Sequence, residues 1–305
     1  MKTFLVVNPN SANGDTGKRW AELGAKVKQH LPDSEYAFTN APMHAATLAR
    51  EALGKGFKCV VAVGGDGTIN EVTNGFFDNG KVIDPQAVLA VLPRGTGGDF
   101  RKTFGWDVDF TAALKRLTTE ETRPFDVGKL EYVGLSGKNE TRYFANICSF
   151  GVSGQVDHEV NRSSKMFGGK LSFMVGSVKA LMKYSDRKVR FSLDGGPKEE
   201  ALVTTLAVAN GKYFGGGMKV APDADVSDGT FNVTLWSGYG LKDFALKQGS
   251  IYSGEHVKWK GTRLMTCKAI SAESDEEVLI DCDGEQPGRL PCTMTVLPAA
   301  IRLKV

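Results

Sequence analysis

A glycine-rich turn at residues 64–68, with the sequence GGDGT, contains the residue types in this chain that point most directly to chemistry. Its glycines let the backbone approach an anion closely and adopt positive φ angles. The apolar spacing after Thr68 predicts a helix, whose first turn directs unpaired N–H groups toward the same place. Asp66 would repel a phosphate unless a metal cation lay between them. The turn therefore predicts a magnesium–nucleotide site, and a tight turn capped by Asp66 is the plain structural alternative.

Two other loops in the first half of the chain have the same character. Residues 8–14 (NPNSANG) precede a helical pattern, so their amides and Ser11 could meet phosphate at a helix N-terminus. Residues 95–102 (GTGGDFRK) supply further amides and place Asp99 beside two cations. An ordinary turn with solvated charges is the competing interpretation of each loop. Residues 75–82 (GFFDNGKV) approach a Walker pattern but lack its hydroxyl and follow a helix, so we interpret them as a helix end.

Two acidic segments stand out in the second half. A glycine-dense stretch at residues 210–222 is followed by Asp223, Asp225 and Asp228. Carboxylates and turn carbonyls at such spacing can ligate a hard cation, although a solvated acidic turn is the commoner case. Residues 281–285 (DCDGE) place three carboxylates within five positions at a strand end, and one of them could serve as a general base.

The elements that must position these segments change character near residue 125. Before it, apolar runs alternate with helical spacing: strands are predicted at residues 3–7, 35–39, 59–63 and 87–92, and helices at 20–31, 43–53, 69–76 and around 114–117. This alternation predicts a doubly wound α/β domain with a parallel sheet, whose ligands bind beyond the carboxyl ends of the strands. The three loops of the first half all follow predicted strands.

After about residue 124, short strands separated by Asp-Gly turns predict an all-β sandwich or a barrel-like domain. The strand candidates are residues 125–132, 143–147, 188–193, 202–209, 231–236, 263–269, 278–282 and 292–296. Helical interruptions are predicted at residues 171–183 and 241–252. The segment 166–182 is apolar on most faces, and packing on the sandwich is favoured over covering a lipid entrance.

Bulk composition narrows the class of protein. The 305 residues are 41% apolar and 24% charged, which is normal for a globular chain of about two domains. A net charge of +3 indicates no general polyanion-binding role, so any attraction to nucleic acid or an acidic membrane would have to come from a local basic patch. The first apolar run stops at residues 8–9, too early for a signal peptide, and the five cysteines are odd in number and widely spaced. We expect a cytoplasmic protein with reduced thiols.

Taken in chain order, these segments resemble the bacterial diacylglycerol and lipid kinase family, which includes sphingosine and ceramide kinases, over essentially the whole chain. The motifs are residues 8–11 (NPNS), 64–71 (GGDGTINE), 95–100 (GTGGDF), 215–229 and 283–285 (DGE). The first glycine turn is shared with NAD kinases and phosphofructokinases. The two C-terminal motifs make the combination specific to the lipid kinases.

The resemblance implies an NAD kinase- and phosphofructokinase-like nucleotide domain over residues 1–124, completed by residues 299–305, and a β-sandwich domain over residues 125–298. Its implied cofactors are ATP and Mg²⁺. The implied ATP contacts are Asn8, Ser11, Thr39, Gly64, Gly65, Asp66, Gly67, Thr68, Ile69, Asn70, Thr96 and Asp99.

The resemblance also implies roles in catalysis and metal binding. Asp66 would engage the catalytic Mg²⁺ and Glu285 would be the general base. Asp228, with the backbone carbonyls of Asp225 and Thr230, would hold a structural Mg²⁺. Lys18 and Lys102 are candidates to offset charge on the transferred phosphoryl group.

The chain departs from the family pattern at three positions. Gly98 stands where asparagine is usual, Lys102 where arginine is usual, and Ala12 where glycine is usual. A lost side-chain amide and a lost fork of donors put the acceptor and the level of activity in question.

Two other functions stay open: an NAD kinase-like enzyme, and a nucleotide- or lipid-binding module without catalysis. The expected partner is a lipid presented at the inner face of a membrane and contacted peripherally, with no nucleic acid. A homodimer is left open. The acceptor lipid is not identified; diacylglycerol, sphingosine, ceramide and phosphatidylglycerol all offer a hydroxyl.

Overall fold

A computed structural model of the protein describes residues 1–95, 97–156 and 184–305. The chain divides into two compact units, one made of residues 1–127 and 298–305 and the other of residues 128–297. Thr96, the predicted helix at residues 171–183 and the apolar segment 166–182 lie outside the described residues.

The first unit alternates strands and helices, as its periodicity predicts. Its elements are β1 (Thr3–Val7), α1 (Asp15–Lys18), α2 (Trp20–His30), β2 (Glu35–Phe38), α3 (His44–Gly54), β3 (Cys59–Gly64), α4 (Asp66–Asn74), β4 (Phe77–Asp78), β5 (Lys81–Val82), β6 (Val88–Pro93), α5 (Asp99–Thr103) and α6 (Phe110–Thr118). Strands β6, β3, β1 and β2 lie side by side in that order and run parallel.

Helices cover both faces of this sheet. Trp20 and Leu23 of α2 and Leu114 of α6 share one core with alternate residues of the strands, Val61 and Val63 among them. Successive side chains of a strand point to opposite faces, so the other half of these buried strand residues faces α3 and α4. The predicted doubly wound α/β fold is confirmed.

The second unit is rich in antiparallel strands. Its elements, counting β7 and β17, which both cross between the units, are β7 (Thr122–Gly134), β8 (Asn139–Phe144), β9 (Ile147–Gly151), β10 (Arg187–Leu193), β11 (Glu199–Val203), β12 (Thr205–Ala209), β13 (Phe231–Trp236), α7 (Leu241–Ser253), a 3₁₀ turn (Glu255–Lys258), β14 (Thr262–Cys267), β15 (Ala269–Glu273), β16 (Ile280–Cys282) and β17 (Gly288–Lys304). At the end of β17, Arg302 and Leu303 pair in parallel with β6 in the first unit.

Two layers of strands enclose the core of the second unit. One is a five-stranded antiparallel sheet in the order β14-β13-β12-β9-β16, and the other contains β11, β10, β15 and β17 in that order. Phe150 and Val208 from the first layer share a single buried cluster with Phe191 and Met294 from the second. The predicted β-sandwich is confirmed.

Several predicted boundaries are wrong for one physical reason. Residues 202–209 and 263–269 were each predicted as one strand, but the chain breaks at Thr204 and at Lys268 and changes layer there. Residues 143–147 contain the end of β8 and the start of β9. Apolar residues lie on both sides of each break, so periodicity alone does not reveal it. The helix end predicted at residues 75–82 continues as the small hairpin of β4 and β5.

Candidate active site

The first glycine turn closes tightly between β3 and α4. A Cβ atom added at Gly64 would lie 2.3 Å from the Thr68 hydroxyl oxygen, so a side chain there would force the turn open. The same hydroxyl accepts a hydrogen bond of 3.0 Å from the Asn8 side-chain amide, which lies just beyond β1. The ends of neighbouring parallel strands therefore place Asn8 beside the turn, as the sequence predicts.

The second glycine loop touches the first, backbone to backbone. A Cβ atom added at Gly95 would lie 2.6 Å from the Gly65 Cα. Arg94, at the start of this loop, donates its N–H to the Gly64 carbonyl at 2.8 Å. Two loops that are distant in sequence thus form one surface of closely approached backbone, at the N-terminus of α4, where anions are favoured.

Asp66 joins the two loops through its carboxylate. One oxygen accepts the Asp99 N–H and the other accepts the Phe100 N–H, both at 3.1 Å, so Asp66 caps α5. Burial, and repulsion from the Asp99 carboxylate, raise the pKa of Asp66, against the opposing effect of the N–H donors. The predicted capping role is real, but Asp66 caps α5 and not its own helix.

Charged side chains of α5 pair with one another. The Lys102 ammonium donates to Asp99 at 2.8 Å, and both side chains are largely buried. Gly98, directly before α5, has a φ of 65° in the left-handed region. Lys102, at the position where the family usually has arginine, is therefore held beside Asp99.

The loop after β1 is organised by short polar contacts. Ser11 donates its hydroxyl to the Asn8 carbonyl at 2.8 Å and to the Thr16 hydroxyl at 2.7 Å. Thr39, just beyond β2, donates its N–H to the Val7 carbonyl at 2.8 Å, which places it at the same edge of the sheet. Ile69 and Asn70 are buried within α4.

Two residues of the first unit were not singled out from the sequence. Arg94 forms an ion pair with Asp15 and reaches Thr16 at 3.3 Å, so it ties the loop after β6 to the loop after β1. Glu71 accepts the Ala45 N–H at 3.1 Å at the start of α3. A charged residue directly after a buried strand was the available signal for Arg94.

In the second unit the glycine-dense stretch forms a tight loop. Phe214 and Met218 exchange backbone hydrogen bonds of 3.0 and 2.9 Å around three glycines with positive φ. Asp225 accepts the Ser227 N–H at 3.0 Å, and Asp228 accepts the Thr230 N–H at 2.9 Å. These carboxylates therefore shape the turns that contain them.

A tight turn at residues 282–285 follows β16. Cys282 and Glu285 exchange backbone hydrogen bonds of 2.8 and 3.2 Å. The two central residues, Asp283 and Gly284, have φ values of 52° and 89°, as a type I′ turn requires.

The three carboxylates of this segment have different surroundings. Asp281 is buried and accepts the Ser149 hydroxyl at 3.1 Å and the Gly284 N–H at 2.9 Å. Asp283 accepts three backbone N–H groups, from the two residues before β9 and from its first residue. Glu285 is exposed. The spacing alone left all three open as a general base, and Glu285 is the exposed one of the three.

Side chains that could bind a metal ion are not clustered in the described part of the chain. No group of three or more histidine, cysteine, aspartate or glutamate side chains comes together there to hold a metal ion. The carboxylates of Asp66 and Asp228 are oxygen donors of the kind Mg²⁺ prefers, and each oxygen has more than one lone pair.

Both parts of the chain match known families. Residues 2–130 match the diacylglycerol kinase catalytic domain, and residues 146–305 match the YegS C-terminal NAD kinase beta sandwich-like domain, more than half of the chain. The chain belongs to the bacterial diacylglycerol and lipid kinase family. As a member of that family it is a kinase.

Relatives of this lipid kinase family match along nearly the full chain. A diacylglycerol kinase of Bacillus subtilis (strain 168) is 26% identical over 288 residues, covering 94% of this chain and 90% of the relative. A diacylglycerol kinase of Staphylococcus carnosus (strain TM300) is 26% identical over 301 residues, covering 98% and 93%.

Solved structures show the same fold. One from Bacillus anthracis str. Sterne has a TM-score of 0.76 at 25% identity and covers 99% of this chain and 96% of its own. Another, of a diacylglycerol kinase from that organism, has a TM-score of 0.72 at 24% identity and covers 99% of this chain and 96% of its own. None of the helices in the described part of this lipid kinase family member has the length and apolar composition that a membrane crossing requires.

Proposed function

We propose that the protein is an ATP- and Mg²⁺-dependent kinase that transfers the γ-phosphoryl group to the hydroxyl of diacylglycerol or a related lipid. The observation that carries the nucleotide part is the joining of the two glycine loops through Asp66 at the carboxyl ends of parallel strands. Family membership and the Asp-Gly-Glu turn support a lipid acceptor.

The first unit would hold ATP. The glycine loops bring backbone N–H groups close to the phosphates, and the N-terminus of α4 adds a favourable dipole. Lys18 and Lys102 are the cations proposed to offset the phosphoryl charge. Mg²⁺ would be held through phosphate or water by Asp66, with a second, structural ion at Asp228 and the carbonyls of Asp225 and Thr230. The Mg²⁺ held by Asp66 would neutralise negative charge on the phosphate oxygens.

The second unit would supply the base. Glu285 accepts the proton of the lipid hydroxyl while that oxygen attacks the γ-phosphorus. The bond from the γ-phosphorus to the oxygen of the β-phosphate breaks in line, so the products are ADP and a lipid phosphate. The exposed Glu285, with two neighbouring carboxylates bound to backbone and hydroxyl groups, supports this assignment.

The test is transfer of label from γ-labelled ATP to purified lipids. Diacylglycerol, sphingosine, ceramide and phosphatidylglycerol would be presented separately in mixed detergent micelles, with NAD as a soluble acceptor. We expect labelled product from at least one lipid and none after chelation of Mg²⁺. Label on NAD and on no lipid would replace the proposal with an NAD kinase, since the sandwich family is described as NAD kinase-like. ATP binding without transfer to any acceptor would favour a non-catalytic module.

A further inference from the structure

We propose that Asp283 is a positioning residue for Glu285: it fixes the turn that presents the base and does not itself exchange protons with the substrate. This inference rests on the proposed function, because it assigns Glu285 the role of base. The hydrogen bonds around the turn at residues 282–285 support it.

The Asp283 carboxylate is bound by three consecutive backbone N–H groups. One oxygen accepts from Asn146 at 3.1 Å and from Ile147 at 2.8 Å, and the other accepts from Ala145 at 2.8 Å. Asp283 also donates its own N–H to the Ile147 carbonyl at 3.0 Å. Both oxygens face the chain entering β9, so the turn is anchored to a neighbouring strand.

The backbone of Glu285 is fixed by the same arrangement. Its N–H and C=O both pair with Cys282, and the N–H of Gly284 is accepted by Asp281 at 2.9 Å. The positive φ of Asp283 matters here, because aspartate tolerates the left-handed region better than most side chains do. The exposed Glu285 side chain therefore starts from a backbone that is held on two sides.

The second unit contains the same device away from any proposed chemistry. Asp194, at the turn between β10 and β11, has a φ of 52° and is followed by Gly195 at 71°. Its carboxylate accepts the N–H groups of Lys268 and Ala269, each at 2.8 Å, and its own N–H donates to the Ala269 carbonyl at 2.9 Å. The residue after this Asp-Gly pair is Gly196.

A comparison of the turns at Asp283 and Asp194 can tell whether an aspartate only anchors its turn or also positions a reacting group. Both aspartates tie an Asp-Gly turn to an adjacent strand, but only the turn at Asp283 is followed by an acidic side chain. Loss of either carboxylate should weaken the anchoring of a turn. Only loss of the Asp283 carboxylate should displace a reacting group.

The experiment compares Asp283→Gly with the matched control Asp194→Gly. Glycine keeps positive φ at no steric cost, and both variants add the same flexibility to the unfolded chain, so a difference between them comes from the carboxylates and their hydrogen bonds. We expect both to lower Tm by about 2–8 °C. Asp283→Gly should also lower kcat by about 10–100-fold, because a misplaced catalytic group loses its near-attack geometry. KM for ATP should stay unchanged in both variants, and kcat should stay unchanged in Asp194→Gly.

Two further measurements separate positioning from base catalysis. In Asp283→Asn, the single carbonyl oxygen can keep the bonds from Asn146 and Ile147 but loses the one from Ala145, so kcat should be partly restored relative to glycine. The acid limb of the pH–rate profile should persist in the residual activity of Asp283→Gly, because the proposed base, Glu285, is still present. Disappearance of that limb would make Asp283 the base and overturn the inference.

The outcomes distinguish this inference from the proposed function. If the wild type is an active lipid kinase and Asp283→Gly turns over as fast as Asp194→Gly, the positioning role is wrong and the function stands. If the wild type phosphorylates no lipid in the panel, the proposed function is wrong, and the inference built on it is wrong as well.

Discussion

The first unit and the second unit each place an acidic residue in a glycine-containing turn after a buried strand, but they orient the carboxylates differently. Asp66 turns both oxygens toward N–H groups of the adjacent loop. Glu285, at the end of the second turn, is exposed. In the second turn the carboxylate that accepts backbone N–H groups is that of Asp283. Asp283 therefore anchors this turn, and Glu285 is exposed at its end.

This difference shows that similar turn composition supports two tasks. In the first unit, the close approach of Gly65 and Gly95 and the capping by Asp66 build a rigid surface of backbone, which suits holding an anion. In the second unit, a hairpin turn presents one carboxylate, which suits proton transfer. If this division is correct, substitutions in the first unit should alter ATP binding, and substitutions in the second should alter turnover with ATP binding retained.

The largest expected effect comes from Glu285→Gln, which removes the proposed base at constant size. We expect kcat for the lipid acceptor to fall by about 10²–10⁴-fold, the usual contribution of general base catalysis. ATP affinity, measured by titration calorimetry, should be unchanged. Glu277→Gln, at another exposed glutamate of the same unit, is the matched control and should retain full turnover. Loss of ATP binding in Glu285→Gln would contradict the division between the units.

Gly95→Ala should have the next largest effect, and on binding. The added Cβ atom would lie 2.6 Å from backbone at Gly65, so the two loops must move apart. We expect a loss of about 1–3 kcal/mol in the free energy of unfolding, as for other overpacked sites, together with weaker ATP binding. Gly54→Ala is the control, because an added Cβ atom there has nothing within 4 Å. Urea unfolding and calorimetry measure the two quantities, and wild-type ATP affinity in Gly95→Ala would count against the loop contact.

Asp66→Asn should change how stability depends on pH. Burial and the Asp99 charge raise the pKa of Asp66 from its ordinary 3.8. At pH values between the pKa of Asp66 in the unfolded state and its raised pKa in the folded state, the folded protein therefore binds more protons than the unfolded protein. Stability from this group therefore increases as pH falls through its raised pKa, and decreases as pH rises. Asparagine does not titrate. The unfolding free energy of the wild type minus that of Asp66→Asn should thus increase from neutral to mildly acidic pH.

Subtracting the variant isolates this one group. Other carboxylates whose pKa is lowered by basic partners, such as Glu22 beside Arg19 and Asp84 beside Lys58, are the same in both proteins, so their contributions cancel. Urea unfolding of the two proteins in parallel across the pH series measures the difference. A difference that is flat, or that declines toward acid, would mean that the N–H donors of α5 outweigh burial.

The sequence predicted the fold class and the order of the motifs because both depend on local signals. Alternating apolar runs indicate the parallel sheet, and an Asp-Gly pair after a strand indicates a tight turn. Periodicity did not reveal the changes of layer at Thr204 and Lys268, since apolar residues lie on both sides of each. The anchoring contacts of Asp283 could not be predicted from the sequence either, because the three N–H groups that bind its carboxylate lie more than a hundred residues away along the chain.

Gly98→Asn, which restores the residue usual in the family, should have the smallest effect. Gly98 has a φ of 65°, which asparagine tolerates, and an added Cβ atom would meet the far end of the flexible Arg101 side chain at 2.6 Å. We expect a stability change below about 1 kcal/mol and a correspondingly small change in KM for ATP. Gly105→Asn is the matched control, since Gly105 also has positive φ but open space around it. Acceptor preference across the lipid panel should be unchanged in both variants, because α5 belongs to the unit that we propose holds the nucleotide. A shift in preferred lipid in Gly98→Asn alone would show that this loop also contacts the acceptor. The first unit would then contribute to acceptor recognition as well as to ATP binding.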